Sequence, residues 1–204
     1  RRILGTVLTW MSERRKPVLA LAGGRSETAG TLRLAGNWSI RNTPRLLGRI
    51  TVNRKVGDIM LGPQSALTVG LERLAIDATF TDQGIRFEGT MRSALASANA
   101  QGAVSPIGGT YTRASPLDFT ADADIAQLAP FAALIDTPMI IRGEAHARLR
   151  GRGTLGDPQI TGPLTADRLA VTLPAEGIDL TDGTLRATLT ASDMRVESFS
   201  IRGG

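Results

Sequence analysis

The chain has 204 residues, 42% hydrophobic but only 4% aromatic, so its apolar surface is mostly Leu, Ile, Val and Ala. Cysteine is absent, which excludes disulfides, thiol nucleophiles and Cys-based metal sites, and no apolar run approaches the ~20 residues that span a bilayer. The net charge is +5, almost all of the excess being Arg. These arginines stand singly between apolar residues and do not cluster with aromatics, a pattern that argues for a solvated face and against nucleic acid.

Period-two alternation dominates the first half, the signature of half-buried strands. Leu32, Leu34, Trp38 and Ile40 share one parity, with Arg33, Asn37, Ser39 and Arg41 opposite. Leu4 to Arg15 suits a strand or a short helix. Ile50 and Val52 continue the pattern, and Ile59 and Leu61 follow a turn at Gly57-Asp58. Leu67, Val69 and Leu71 slip register at Glu72-Arg73 into Leu74, Ile76, Ala78 and Phe80, which predicts a β-bulge. Asp82-Gln83-Gly84 predicts a hairpin turn into Ile85, Phe87, Gly89 and Met91. Ser93 to Ala103 is rich in Ala and Ser, with alternation at Leu95.

The second half repeats the scheme. Leu117, Phe119, Ala121 and Ala123 form one strand face, and Ile141, Gly143, Ala145, Ala147 and Leu149 form another. Leu164, Ala166, Leu169, Val171 and Leu173 follow, then Ile178 and Leu180 before an expected turn at Asp182-Gly183. Leu185, Ala187 and Leu189 lead to Met194 and Val196, and a second shift precedes Phe199 and Ile201. One short helix is expected near 124–135, with Asp124 as its cap, Gln127 at the capping-box position and Pro130 interrupting it. The sum is an all-β chain, a meander of consecutive antiparallel strands at roughly ten-residue spacing. It is treated as one elongated unit, 1–204, with a sub-boundary near 124–138. It begins mid-pattern at Arg1 and so reads as part of something longer.

No constellation of catalytic residues stands out. The single His146 lies on the charged parity of its strand, and without a second His or any Cys a metal site would need oxygen ligands alone. Gly151, Gly153 and Gly156 match a dinucleotide fingerprint in spacing, but Asp157-Pro158 and another alternating strand follow where a helix is required. These glycines suit a tight strand-to-strand turn. Asp122 with Asp124, and Asp179 with Asp182, are explained by a cap and a turn. Neither a catalytic activity nor a cofactor nor a metal is expected.

The repeated apolar face is then the informative feature. It has to be buried by a second sheet, by curling on itself, or by a hydrophobic ligand. Inward positions such as Gly89, Gly143, Ala145, Ala147, Ala166 and Ala187 are too small to fill a core alone. Either larger residues opposite fill the gaps, or a ligand does.

The order of several short motifs carries a resemblance. Gly36-Asn37-Trp38-Ser39-Ile40, Gly48-Arg49-Ile50-Thr51-Val52, Arg54-Lys55-Val56-Gly57-Asp58-Ile59 and Val69-Gly70-Leu71-Glu72-Arg73-Leu74 are followed by Leu128-Ala129-Pro130-Phe131. Gly153-Thr154-Leu155-Gly156-Asp157-Pro158 and Ile178-x-Leu180-x-Asp182-Gly183 come after. From about Gly30 to Gly204 this resembles the TamB family, within the AsmA-like superfamily; residues 1–29, with Glu13-Arg14-Arg15-Lys16, fit less clearly. The resemblance implies a long taco-like open groove with an apolar interior. It implies a periplasmic protein held in the inner membrane by an upstream helix, moving phospholipid toward the outer membrane. It also implies partnership with an outer-membrane barrel of the Omp85 class, TamA, and a link to autotransporter assembly. On that reading the groove lining is Ile76, Phe80, Phe87, Met91, Phe119, Ile141, Leu149, Leu164, Val171, Leu173, Leu185, Leu189, Val196 and Phe199. The alternation equally suits a chaperone-like groove that binds outer-membrane or autotransporter strands by β-augmentation. Irregular strand lengths and the bulges argue against a β-solenoid with a dry core.

Overall fold

The computed structural model describes residues 2–6, 28–42, 46–62, 67–135 and 138–203. The expectations for Glu13-Arg14-Arg15-Lys16 and for most of Leu4 to Arg15 lie outside these residues.

In chain order the strands are β1 (Arg2–Thr6), β2 (Thr28–Gly30), β3 (Arg33–Asn42), β4 (Leu46–Val56), β5 (Ile59–Leu61), β6 (Leu67–Thr68) and β7 (Leu71–Thr81). They continue as β8 (Gly84–Ser93), β9 (Ala96–Val104), β10 (Pro116–Ile125), β11 (Ile140–Thr154), β12 (Asp157–Leu173), β13 (Ile178–Leu189) and β14 (Met194–Gly203). A short 3₁₀ helix, Ala129–Leu134, is the one helix among the described residues. The main sheet has eleven strands in the order β1-β3-β4-β7-β8-β9-β10-β11-β12-β13-β14, all antiparallel, and does not close on itself. β2, β5 and β6 form a separate three-stranded sheet. The expected meander is therefore present, with the small sheet as an excursion from it.

Two bulges fall where the parity slips. Leu71 pairs with Ser93 and Arg73 with Arg92, leaving Glu72 as the extra residue. Val196 pairs with Ala187 and Ser198 with Arg186, leaving Glu197 extra. Two further irregularities centre on Arg168 (φ 52°) and Asp182 (φ 53°), both in the left-handed region. The expected turn at Asp182-Gly183 is thus corrected: both residues lie inside β13, and the ladder to β14 shifts between Thr181 and Thr184.

The helix expectation needs a similar correction. Asp124 and Ile125 belong to β10, and Asp124 binds His146 Nδ1 at 2.6 Å across the ladder rather than capping anything. The helix starts after Leu128, with no side-chain cap and with Pro130 in its first turn, where a missing N–H costs nothing. It is anchored instead by the Leu128 N–H, which donates to the Gly143 carbonyl of β11.

Deep burial is sparse. Among described hydrophobic residues only Leu67, Leu71, Val104, Ala166 and Ala187 are fully buried. Leu71 stands opposite Ser93, in line with Met91, and is 2% exposed. The short helix also packs against β6. Strands lie about 4.8 Å apart, so a contact between the lead-in to β7 and a helix that follows β10 has to pass over the ends of β8 and β9. The small sheet and the helix meet at this end of the main sheet. At the far end, the 105–115 segment is pinned to the β11–β12 turn, Leu155 and Gly156 donating to the carbonyls of Ser115 and Arg113. Ser115 is wholly buried there, its hydroxyl oxygen accepting from the Thr112 N–H.

Candidate functional site

Cross-strand register sorts the side chains of the main sheet into rows. One row runs Trp38, Ile50, Ala78, Phe87, Gly102, Phe119, Gly151, Ile160 from β3 to β12. The next runs Val52, Ile76, Gly89, Ala100, Ala121, Leu149. A third runs Leu74, Met91, Ala98, Ala123, Ala147, Leu164, Ala187, Val196 and reaches β14. A fourth joins Ile125, Ala145, Ala166, Leu185 and Phe199. Residues directly opposite in an antiparallel ladder share a face, so these rows make one apolar surface that crosses nearly the whole sheet.

All the predicted lining residues fall on this surface. Phe80 pairs with Ile85, Ile141 with Val171, Leu173 with Ile178, and Leu189 with Met194, extending the rows at either side. None of them is buried. Ile76 (41%), Val196 (52%) and Phe199 (58%) are exposed, and the rest are half-buried. A stable domain packs two or three layers around a core; over the middle of this face the described residues supply one.

The small inward residues divide into two kinds. A Cβ on Gly151 would lie 1.9 Å from Cε1 of Phe119, and one on Gly102 would lie 2.7 Å from Cζ of Phe87. The phenyl rings therefore lie over the glycines of adjacent strands, in the alternation Phe87, Gly102, Phe119, Gly151. Leu169 covers Gly143 and Gly183 in the same way. Gly151 and Gly153 are thus strand residues of β11, and only Gly156 sits in the turn. Gly89 is different: the nearest atom to its added Cβ is the Ala75 carbonyl oxygen at 3.9 Å. Around it Ala98, Ala100, Ala121, Ala123, Ala145 and Ala147 leave the apolar face shallow, between Phe87 and Phe119 on one side and Leu164 on another.

The opposite face is polar and laced with ion pairs. Asp118 meets Arg150 at 2.9 Å and Arg152 at 3.4 Å, and Asp122 meets Arg148 at 3.8 Å. Arg49 meets Asp77 at 2.6 Å, Arg186 meets Asp167 at 2.7 Å, and Arg168 pairs with Glu144. The hydrogen bond from Arg150 holds the Asp118 carboxyl below the usual carboxylate range. The hydrogen bond with Asp77 raises the Arg49 guanidinium, keeping its charge secure. His146 belongs to this ladder, on the surface and paired with Asp124, and no cluster of three His, Cys, Asp or Glu residues among the described residues could hold a metal. The bulge around Arg168 has a separate result. With Arg142, Gly143 and residues 126–129 it lines an open cleft of about 420 Å³.

No family model matches the chain, and neither the curated proteins nor the solved structures contain a significant match. Among the described residues no helix is long and apolar enough to cross a membrane.

Proposed function

We propose that the chain is a segment of a TamB-like bridge for lipid transfer in the periplasm, its apolar face shielding phospholipid acyl chains between the inner and outer membranes. The observation that carries this reading is the continuity of the apolar rows from β3 to β14, with no second layer over their middle among the described residues. Each methylene moved from water onto such a face gains about 0.8 kcal/mol. The shallow ground around Gly89 and Ala121 leaves room for a linear chain, while Phe87 and Phe119 give it a flat wall. Transfer on this model needs no bond to be made or broken. It needs neighbouring positions of similar affinity, which rows of Ala, Leu, Ile and Val provide. The polar face, with its ion pairs, stays in water. Curling of the sheet into an open groove, anchorage by an upstream helix, and a TamA-type barrel as outer-membrane partner belong to the same proposal.

The second reading is a chaperone-like groove for outer-membrane strands. Photo-crosslinkers placed at Ile76 and Leu149 separate the two. The proposal predicts adducts with phospholipid at both positions. Recovery of polypeptide adducts with no lipid would replace it with the chaperone reading.

A further inference from the structure

The open cleft near the short helix is lined from three elements. Residues 126–129 come from the segment after β10, Arg142 and Gly143 from β11, and Arg168 from β12. Two of the lining residues are cationic and none is acidic. The volume of about 420 Å³ is that of a site for a small molecule.

Arg168 is the anomaly of this region. Among the described residues, positive φ angles are otherwise confined to glycines and to Asp182. Glycine has no Cβ to clash, and the short side chain of Asp bonds locally in the left-handed region; Arg has neither property. Yet Arg168 stands at φ 52°, where β12 bulges and Arg168 with Leu169 opposes Gly143 alone. Glycine would fill such a position without strain. The ion pair with Glu144 does not explain the arginine, because its side chain is 77% exposed and exposed pairs contribute little. That pair engages one guanidinium nitrogen, Nη2, and leaves donors on the others. Backbone strain with no structural reason points to a function at that residue.

Arg142 adds a second charge. It stands opposite Ala170 and makes no ion pair among the described residues. The carboxylates of neighbouring positions are engaged elsewhere, Glu144 with Arg168, Asp167 with Arg186 and Asp124 with His146. The cleft therefore carries positive charge that no residue of its lining balances. One guanidinium fork satisfies a planar carboxylate. A tetrahedral phosphate directs its oxygens to several sides and can be met from two strands at once. Leu128 and two alanines add apolar lining, which suits the carbon of an ester rather than a bare ion. Gly143 shares parity with Ile141 and Ala145 of the apolar face, and Arg142 with Glu144 and His146 of the polar one, so the cleft draws on both faces.

We propose that this cleft binds the phosphate of a small phosphate ester, with Arg142 and Arg168 as its charged ligands. The chemistry is the same for a soluble ester and for a lipid headgroup, and the site does not depend on what the apolar rows bind.

Isothermal titration calorimetry of the full chain tests it with three probes: glycerol 3-phosphate, monomeric dihexanoyl phosphatidic acid and uncharged dihexanoylglycerol. The native chain is expected to bind a phosphate probe. Arg142→Gln and Arg168→Gly are each expected to weaken that binding at least tenfold and to leave the response to dihexanoylglycerol unchanged. Arg168→Gly also separates binding from folding. It relieves the strain at φ 52°, so its midpoint in urea is expected to equal or exceed the native one while phosphate binding is lost. Tighter binding of phosphatidic acid than of glycerol 3-phosphate assigns the site to a lipid headgroup, and binding no tighter assigns it to a soluble ester; both support the site. A native chain that binds neither phosphate, binding indifferent to both substitutions, or an Arg168→Gly variant whose loss of binding comes with a loss of stability would overturn the proposal.

Discussion

Phe119 and Gly151 show how single residues set the shape of the apolar face. A ring can lie flat on the sheet only where the neighbouring strand offers no Cβ, and Gly151 is that place. Gly151→Val drives a branched side chain into the ring and is expected to cost about 1–3 kcal/mol in urea unfolding. Gly89→Ala meets only an oxygen at 3.9 Å and is expected to change stability by less than about 1 kcal/mol. Equal costs at the two positions would contradict this packing. The polar face carries a pH dependence. Because the Arg150 hydrogen bond lowers the folded pKa of Asp118, its contribution is fully present above the ordinary carboxylate value of about 4 and is lost as pH falls through the lower folded value. The stability gap between the native chain and Asp118→Asn is therefore expected to close on acidification below about pH 4, and a gap that widened would have the wrong sign.

At the scale of elements, the legible features were those written in parity. The slips at Glu72 and between Val196 and Phe199 each announce a bulge, and each bulge is present. Asp182-Gly183 was misread as a turn because the same two residue types serve both purposes. Asp tolerates a left-handed backbone, and a bulge inside a long strand uses that tolerance as a turn does. Asp182→Val, which adds a β-branched side chain at φ 53°, is expected to cost about 1–2 kcal/mol. Asp182→Gly is expected to stay within about 1 kcal/mol of the native chain, again by urea unfolding. Asp124 was misread as a helix cap for a related reason. A carboxylate ahead of an apolar run suits a cap, but tertiary pairing with His146 places it on a strand. The covering of Gly102 and Gly151 by phenyl rings could not be read locally. It depends on which strands become neighbours and in what register, although the alternation of Phe and Gly on successive strands is the signal that could have found it.

Over the whole molecule, the sequence pattern already contained the open all-β meander and the common face of the predicted lining residues, because a period of two assigns sides without reference to tertiary contacts. Its partner could not be read from that pattern, since a second sheet, a curl and a ligand satisfy the same alternation. In the structure the residues in the middle of the face are half-exposed. Charge placed on an exposed part of the face is expected to spare the fold and abolish lipid loading. Ile76→Arg, at a residue 41% exposed, is the cleanest such change, with Val171→Glu and Leu185→Arg as further positions along the rows. Native mass spectrometry of the chain purified from cells, beside Ile76→Arg with the same far-UV circular dichroism, tests the central claim most directly. The account predicts copurified phospholipid on the native chain and at least a tenfold loss from the variant. A lipid-free native chain, or a variant loaded equally, would contradict it.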